Sequence, residues 1–276
     1  MTPKPRHEVW CYDDRELEVV RQGPRPSAGT LVFVHGVCHG AWCWQHFSEF
    51  FAEQGYDTVA FSLRGHAGSS GRRDLHRLGL DDYVDDLSRV VERLDRKPVI
   101  IGHSMGGAIV QRYLAAHADS VSAAVLFASA TAGGLGGRRF IDVIRGIGPG
   151  ALLNALRIVL GLSAPAERAN NTPFFGRRLS EQDARHFALQ MGPESRRAVR
   201  DLVTRFDALP PVLPPMLVIG SRDDDLFGVK SQQATARAYG VRPQLLDGLC
   251  HDMMLDPDWR RPANRVLEFL RGPRAA

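Results

Sequence analysis

Short apolar runs recur along this chain with almost no polar residue inside them. They are LeuValPheVal within Thr30 to His35, the segment Asp57 to Phe61, the run Pro98, Val99, Ile100, Ile101, the segment Val121 to Ala128, and MetLeuValIleGly after Pro215. A strand that shows one face to water alternates polar and apolar side chains, so runs without alternation predict strands buried on both faces, as in a parallel sheet. Between them the spacing changes to that of helices over Trp44 to Gln54, Leu80 to Leu94, Met105 to Ala116, Val229 to Tyr239 and Trp259 to Leu270. In the third of these, Ile109, Val110, Tyr113 and Leu114 share one face. Val9 to Arg21 reads as a hairpin turning at Asp13 and Asp14, and Arg242 to Leu246 as one further strand. Strand and helix in regular alternation predict an α/β protein with a doubly wound, mostly parallel sheet.

The alternation stops at Ala132 and resumes only at Pro215. We therefore expect one core, residues 1–131 and 208–276, interrupted by a helical cap over residues 132–207. Leu152, Leu153, Leu156, Ile158, Val159 and Leu160 have helical spacing, and Phe174, Phe175 and Phe187 add apolar bulk. Such a cap is expected over the carboxyl edge of the sheet, where open α/β folds bind ligands.

Composition narrows the function classes. A hydrophobic content of 44% and a charged content of 24% are those of a globular chain rather than a disordered one. The net charge of +4 comes from an arginine-rich segment between Gly133 and Asp207, and the rest of the chain is near neutral. No basic stretch is interleaved with aromatics, which argues against a nucleic-acid groove, and a solvated helix face accounts better for the cap arginines than an anion site. The first ten residues lack the apolar centre of a secretory signal. The greasiest stretch, Ala151 to Leu162, contains Asn154 and Arg157 and is too short to span a bilayer. Cys11, Cys38, Cys43 and Cys250 have neither zinc-site spacing nor disulfide density, so we expect free thiols and a cytoplasmic location.

The chemistry concentrates at GlyHisSerMetGlyGly, residues 102–107, which joins the strand ending at Ile101 to the helix beginning at Met105. A serine with glycine two positions to either side can occupy a turn so tight that its hydroxyl stands clear of the backbone. Ser104 is therefore the candidate nucleophile. A neutral alcohol needs a base, and the base needs an acid to fix its tautomer. After the strand Leu217 to Gly220 come Asp223, Asp224 and Asp225, and after the next strand comes His251. The residue pattern leaves all three aspartates open as the acid.

These features resemble the α/β-hydrolase superfamily, in which serine, acid and histidine follow in that chain order. In that family one variable residue and an apolar pair typically follow the acid, and Asp224, Asp225, Leu226, Phe227 matches that phrasing. The resemblance therefore implies Asp224, with Asp223 as runner-up and Asp225 as a turn carboxylate. The segment His35 to Trp44, HisGlyValCysHisGlyAlaTrpCysTrp, is similar to the methylesterase and hydroxynitrile-lyase branch. That similarity implies an oxyanion hole made by the backbone N–H groups of Val37 and Met105. The lyases of the branch carry a threonine where this chain has Gly36 and a lysine where it has Asp252. An aspartate repels a departing cyanide that a lysine would hold, which favours hydrolysis over cyanohydrin cleavage. Ser104 itself argues against the relatives that use an aspartate nucleophile.

The expectation is a serine hydrolase cleaving a carboxylic ester, thioester or lactone through an acyl-enzyme, with no metal or organic cofactor and a small-molecule substrate carrying a partly apolar acyl or alcohol group. Two alternatives remain. One is acyl transfer or carbon–carbon bond cleavage on the same triad, and the other is a receptor-like protein that retains the triad but binds rather than turns over its ligand. Around the site, His103 is expected to pack and hydrogen-bond within the elbow, His35 and His39 to order the oxyanion loop, and His66 to be structural. Cys38 is expected to fill space, Trp42 and Trp44 to anchor the first helix, and Met253 and Met254 to pack behind the histidine loop.

Overall fold

The computed structural model describes residues 3–25, 27–131, 153, 174–176, 178–203 and 213–272. Their eight strands form one sheet in the order β1-β2-β4-β3-β5-β6-β7-β8. The hairpin of β1 (Arg6–Tyr12) and β2 (Arg15–Gln22) is antiparallel and joins antiparallel to β4 (Asp57–Phe61). From β4 across β3 (Thr30–Val34), β5 (Val99–His103), β6 (Ala123–Phe127), β7 (Met216–Ser221) and β8 (Gln244–Leu246) every pairing is parallel. The observed strands follow the apolar runs closely. β6 is shorter than the expected Val121 to Ala128, and β8 is shorter than the expected Arg242 to Leu246 because it lies at the edge and pairs only with β7.

The unalternated runs are explained by the two layers of helix. Leu31 and Phe33 of β3, Val99 and Ile101 of β5, and Val125 and Phe127 of β6 face one apolar layer, which is closed by α1 (Gln45–Glu53) and the last helix. Their neighbours Val32, Val34, Ile100, Ala124 and Leu126 face the other layer, against α2 (Leu80–Glu92) and α3 (Met105–His117). Each of these strands thus buries alternate residues in different cores, and the few polar side chains buried with them are bonded, as Asp57 is to Arg21 and Thr58 to Gln22 O. Trp44 is wholly buried and stacks on Phe33, with ring centroids 4.8 Å apart.

The chain reverses direction across the sheet at β3. From β3 it moves outward to β4, then returns to place β5 on the other side of β3. Ligand crevices in open α/β sheets form beyond the carboxyl ends of strands at such a reversal, and here those ends carry His35, Gly36, Val37 and Ser104. Of the interrupting segment, the helix expected around Leu152 to Leu160 lies outside the described residues, apart from Leu153. The described remainder contains α4 (Glu181–Gln190) and α5 (Arg196–Val203), with Phe174 and Phe175 buried. After β7, α6 (Val229–Ala238) and α7 (Arg260–Arg271) complete the helical layers. Among the described residues no helix is long and apolar enough to cross a membrane.

The close approach of β3 to the start of α3 depends on Gly106, where an added Cβ would lie 2.3 Å from Val34 O and 2.6 Å from His35 O. Backbone oxygens cannot step aside as a flexible side chain can. Gly106→Ala is expected to cost about 2–3 kcal/mol of stability, read as a lowered urea midpoint at unchanged slope.

Candidate active site

Ser104 connects β5 to α3 with φ 54° and ψ −117°, in the half of backbone space that L-residues avoid. Holding such a residue costs roughly 1–3 kcal/mol, so its surroundings must over-determine it. They do so through the main chain. The Ser104 N–H donates to Phe127 O at 3.1 Å, and Ser104 O accepts from Gly107 N at 3.0 Å and Ala130 N at 3.1 Å. The flanking glycines are required by space, because a Cβ on Gly102 would lie 2.4 Å from Gly106 O and one on Gly107 would lie 2.1 Å from Ser129 Oγ. The side chain that results is only 4% exposed, and Oγ makes no hydrogen bond among the described residues.

Asp224 and His251 meet next to His103, whose ring lies 4.7 Å from that of His251. The loop after β7 brings Asp224 Oδ2 within 2.9 Å of His251 Nδ1, with both side chains buried. Asp224 Oδ1 accepts from Leu226 N at 2.8 Å and Phe227 N at 2.9 Å, which fixes the carboxylate plane. The expected apolar pair after the acid thus supplies backbone donors as well as bulk. The opposite ring nitrogen, His251 Nε2, is buried without a hydrogen-bond partner in the described structure. The His251 carbonyl accepts from His103 Nε2 at 3.2 Å, tying the histidine loop to the residue immediately before Ser104. Burial disfavours a charged His251 ring, but the Asp224 carboxylate and its hydrogen bond outweigh this, with Asp252 adding to them, and the ring titrates above its usual range. Asp223 and Asp225 are exposed, and Asp223 Oδ2 accepts from Gly248 N at 2.6 Å.

At the end of β3, Gly36 brings the main chain against the serine, since a Cβ there would lie 2.9 Å from Ser104 Cβ and 2.9 Å from His103 Nδ1. His35 Nδ1 donates to Gly36 O at 2.8 Å and its Nε2 accepts from Leu63 N at 3.0 Å, a pattern that only a neutral ring satisfies. Burial, aided by nearby His66, accordingly holds the His35 pKa well down. Val37 O accepts from His39 Nδ1 at 2.6 Å. The N–H groups of Val37 and Met105 have no acceptor among the described residues, and the second belongs to the positive end of α3.

Asp252 differs from its sequence reading as a charge set against a departing anion. It is fully buried with Oδ2 2.9 Å from His39 Nε2 and Oδ1 3.4 Å from His103 Nε2. Burial opposes its charge, yet His39 first, then His103 and His251, keep its carboxyl below the usual carboxylate range. His103 is pushed down to about 3 by burial and by the neighbouring His251. His103, His251 and Asp252 bring possible ligand atoms within 4.8 Å of one another. Each of the three also makes one bond elsewhere, His103 Nε2 to the His251 carbonyl, His251 Nδ1 to Asp224 and Asp252 Oδ2 to His39, while His103 Nδ1, His251 Nε2 and Asp252 Oδ1 have no hydrogen-bond partner among the described residues.

Sequence reasoning missed Glu194, which lies between α4 and α5, is fully buried and binds the Cys38 N–H and His66. A single carboxylate in GlyProGluSer follows no periodicity and carries no motif, so nothing local marks it. The pairing of Asp252 with His39 was equally illegible, because the two lie on different loops.

A strained serine at a strand-to-helix bend, on a mostly parallel sheet whose later loops carry an acid paired to a histidine, is the build of an α/β-hydrolase. Residues 25–258 match the family described as serine aminopeptidase S33, and the chain belongs to that family. It is similar to methyl jasmonate esterase 1 of Vitis vinifera, 34% identical over 97 residues that cover 34% of this chain and 37% of that protein. It is also similar to the monoacylglycerol lipase of Mycolicibacterium smegmatis, 30% identical over 170 residues that cover 60% of this chain and 52% of that one. The matched stretches thus span between about a third and a half of these relatives. The bromoperoxidase of Bacillus anthracis shares the fold with a TM-score of 0.75 at 18% identity, over 97% of this chain and 100% of that one.

Two outcomes test the acid and the histidine. Asp224→Asn is expected to lower kcat on an ester by about 10⁴-fold, while Asp223→Asn stays close to wild type. A protonated ring cannot accept a proton, so kcat/KM for an uncharged ester should fall as pH drops through the His251 pKa, with a midpoint above the ordinary 6.5. Asp224→Asn, which removes the charge that favours the imidazolium, should move that midpoint down.

Proposed function

We propose that the protein hydrolyses carboxylic esters of small molecules through an acyl-enzyme on Ser104. The observation that carries this reading is the 2.9 Å Asp224–His251 pair whose free Nε2 sits in a loop bonded to the residue preceding the strained serine. Ser104 Oγ attacks the carbonyl carbon while His251 Nε2 takes the hydroxyl proton, and Asp224 steadies the imidazolium. The carbonyl π pair moves onto oxygen, where the N–H groups of Val37 and Met105 hold it; each such donor contributes about 3 kcal/mol in typical enzymes. Collapse breaks the bond to the alcohol, which leaves with the proton from His251. Water then attacks the acyl-enzyme with His251 again as base, and the carboxylic acid departs.

Residues 132–207 serve in this reading as a cap that shapes the pocket. Its described portion supports an apolar lining. Trp42 stacks on Phe187 at 6.2 Å, Phe175 packs against Phe187, and Phe174 lies 6.3 Å from the His251 ring. Esters are favoured over peptides with a free amino terminus, despite the family's description. An aminopeptidase needs a carboxylate open to the substrate ammonium, and among the described residues the buried carboxylates beside this site, Asp224, Asp252 and Glu194, are each committed to a histidine. Relatives named as esterases and a lipase point the same way. Four free thiols, three of them buried, support work in a reducing cytoplasm.

A series of p-nitrophenyl esters of increasing acyl length, run on wild type and Ser104→Ala, tests the reading. Turnover is expected in wild type with an optimum beyond acetate, and only background in the variant. Full activity in Ser104→Ala would remove the nucleophile from the mechanism.

A further inference from the structure

Glu194 belongs to the inserted segment, yet it lies completely buried beneath the loop that follows β3. Four donors converge on its two oxygens. Oε2 accepts from the Cys38 N–H at 3.0 Å and from His66 Nε2 at 3.0 Å, while Oε1 accepts from Tyr83 OH at 3.1 Å and the Ser195 N–H at 2.7 Å. Two residues earlier, the Gly192 N–H donates to Cys38 O at 2.9 Å. One short stretch of the insertion therefore grips residue 38 at both its N–H and its C=O. Cys38 has φ 66°, a left-handed conformation that a residue with a side chain keeps only when its partners hold it.

The Cys38 N–H shares a peptide plane with the Val37 C=O, and that carbonyl is bound at 2.6 Å by His39, which rests on Asp252. The plane is thus pinned at both edges, by the insertion on one side and by the histidine loop on the other. The peptide before it is pinned at its carbonyl by His35, which leaves the Val37 N–H as the donor without a protein acceptor among the described residues. Although burial works against the Glu194 charge, His66 and the backbone N–H groups hold its carboxyl below its usual range, so it acts as an acceptor only.

We propose that Glu194 is a positioning residue: by holding the Val37–Cys38 peptide it aims the Val37 N–H at the oxyanion, so the insertion is part of the oxyanion hole and not only a wall around the substrate. This rests on the ester-hydrolase reading above. Glutamine in its place turns an NH₂ group toward one pair of donors, which must separate. The loop then relaxes around residue 38, and the tetrahedral intermediate is lost in preference to the bound ester.

The test compares wild type, Ser104→Ala, Glu194→Gln and Gly192→Pro on p-nitrophenyl butyrate, with each preparation normalised to the fraction of protein labelled at completion by a fluorophosphonate. The expected result for Glu194→Gln is a kcat lower by about tenfold or more with KM within about threefold. Affinity for phenylboronic acid, whose serine adduct places an oxygen in the hole, should fall by the same factor. A normalised kcat at the wild-type level, or a raised KM with unchanged kcat, overturns the inference while leaving the hydrolase reading intact. If Ser104→Ala retains turnover, it is the hydrolase reading that fails. Should Glu194→Gln not fold, Gly192→Pro removes the donor to Cys38 O from the other side of the same residue. The preceding Met191, at φ −67° and ψ 139°, already has a backbone that proline tolerates after it. The same loss of kcat supports the proposal, and wild-type turnover overturns it.

Discussion

The site depends on main-chain segments approaching more closely than side chains would allow. The end of β3, the end of β5 and the first turn of α3 converge on Ser104 with Gly36, Gly102, Gly106 and Gly107 at the contacts, each leaving less than 3 Å for a Cβ. That crowding gives Ser104 its positive φ, and the bonds from its peptide to Phe127 and Ala130 keep it there. The strain is local while its support is spread through β5, β6 and α3, all within the apolar layers. A rigid sheet therefore sustains an unfavourable conformation at one residue, beside the strand at which the strand order reverses.

Around this point the structure buries three carboxylates and gives each a histidine: Asp224 with His251, Asp252 with His39, and Glu194 with His66. A buried carboxylate without a partner would shed its charge, and the partner of each acid decides what that charge can do. Asp224 faces the histidine whose other nitrogen is free, which suits proton transfer. Asp252 and Glu194 face histidines whose second nitrogens bind the main chain, at Val37 O and Arg64 O, which suits holding loops. His35 and His103, with no close carboxylate of their own beyond the longer contact from His103 to Asp252, are kept neutral by burial. Similar side chains thus take different tasks according to what lies at the second nitrogen.

The described residues between β6 and β7 touch both loops of the proposed site. Phe174 O accepts from Asp252 N at 3.1 Å and Arg178 donates to Gly248 O at 3.0 Å on the His251 side, while Gly192 and Glu194 hold Cys38 in the loop after β3. In the proposed mechanism a segment able to vary its apolar lining is therefore anchored by polar contacts to main-chain atoms, which do not depend on the identity of the residues they bind. Substrate preference and loop geometry are served by different residues of the same segment.

The sequence by itself determined the strands, because a run without alternation has one stable environment, between two helical layers. It also marked the serine, because a strand, a glycine-spaced serine and a helix allow one backbone path, and it ordered the acid and histidine behind it. Between the three aspartates after β7 the residues alone were neutral, and resemblance pointed to Asp224. Only the folded chain turns Asp224 inward to His251 and leaves Asp223 on the surface. The tertiary structure also decided what no window of sequence contains: that Asp252 lies against His39, and that Glu194 reaches a loop more than 150 residues earlier in the chain. Periodicity reports burial because burial repeats along an element. A hydrogen bond between distant loops repeats nowhere, and it comes into being only when packing brings its two ends together.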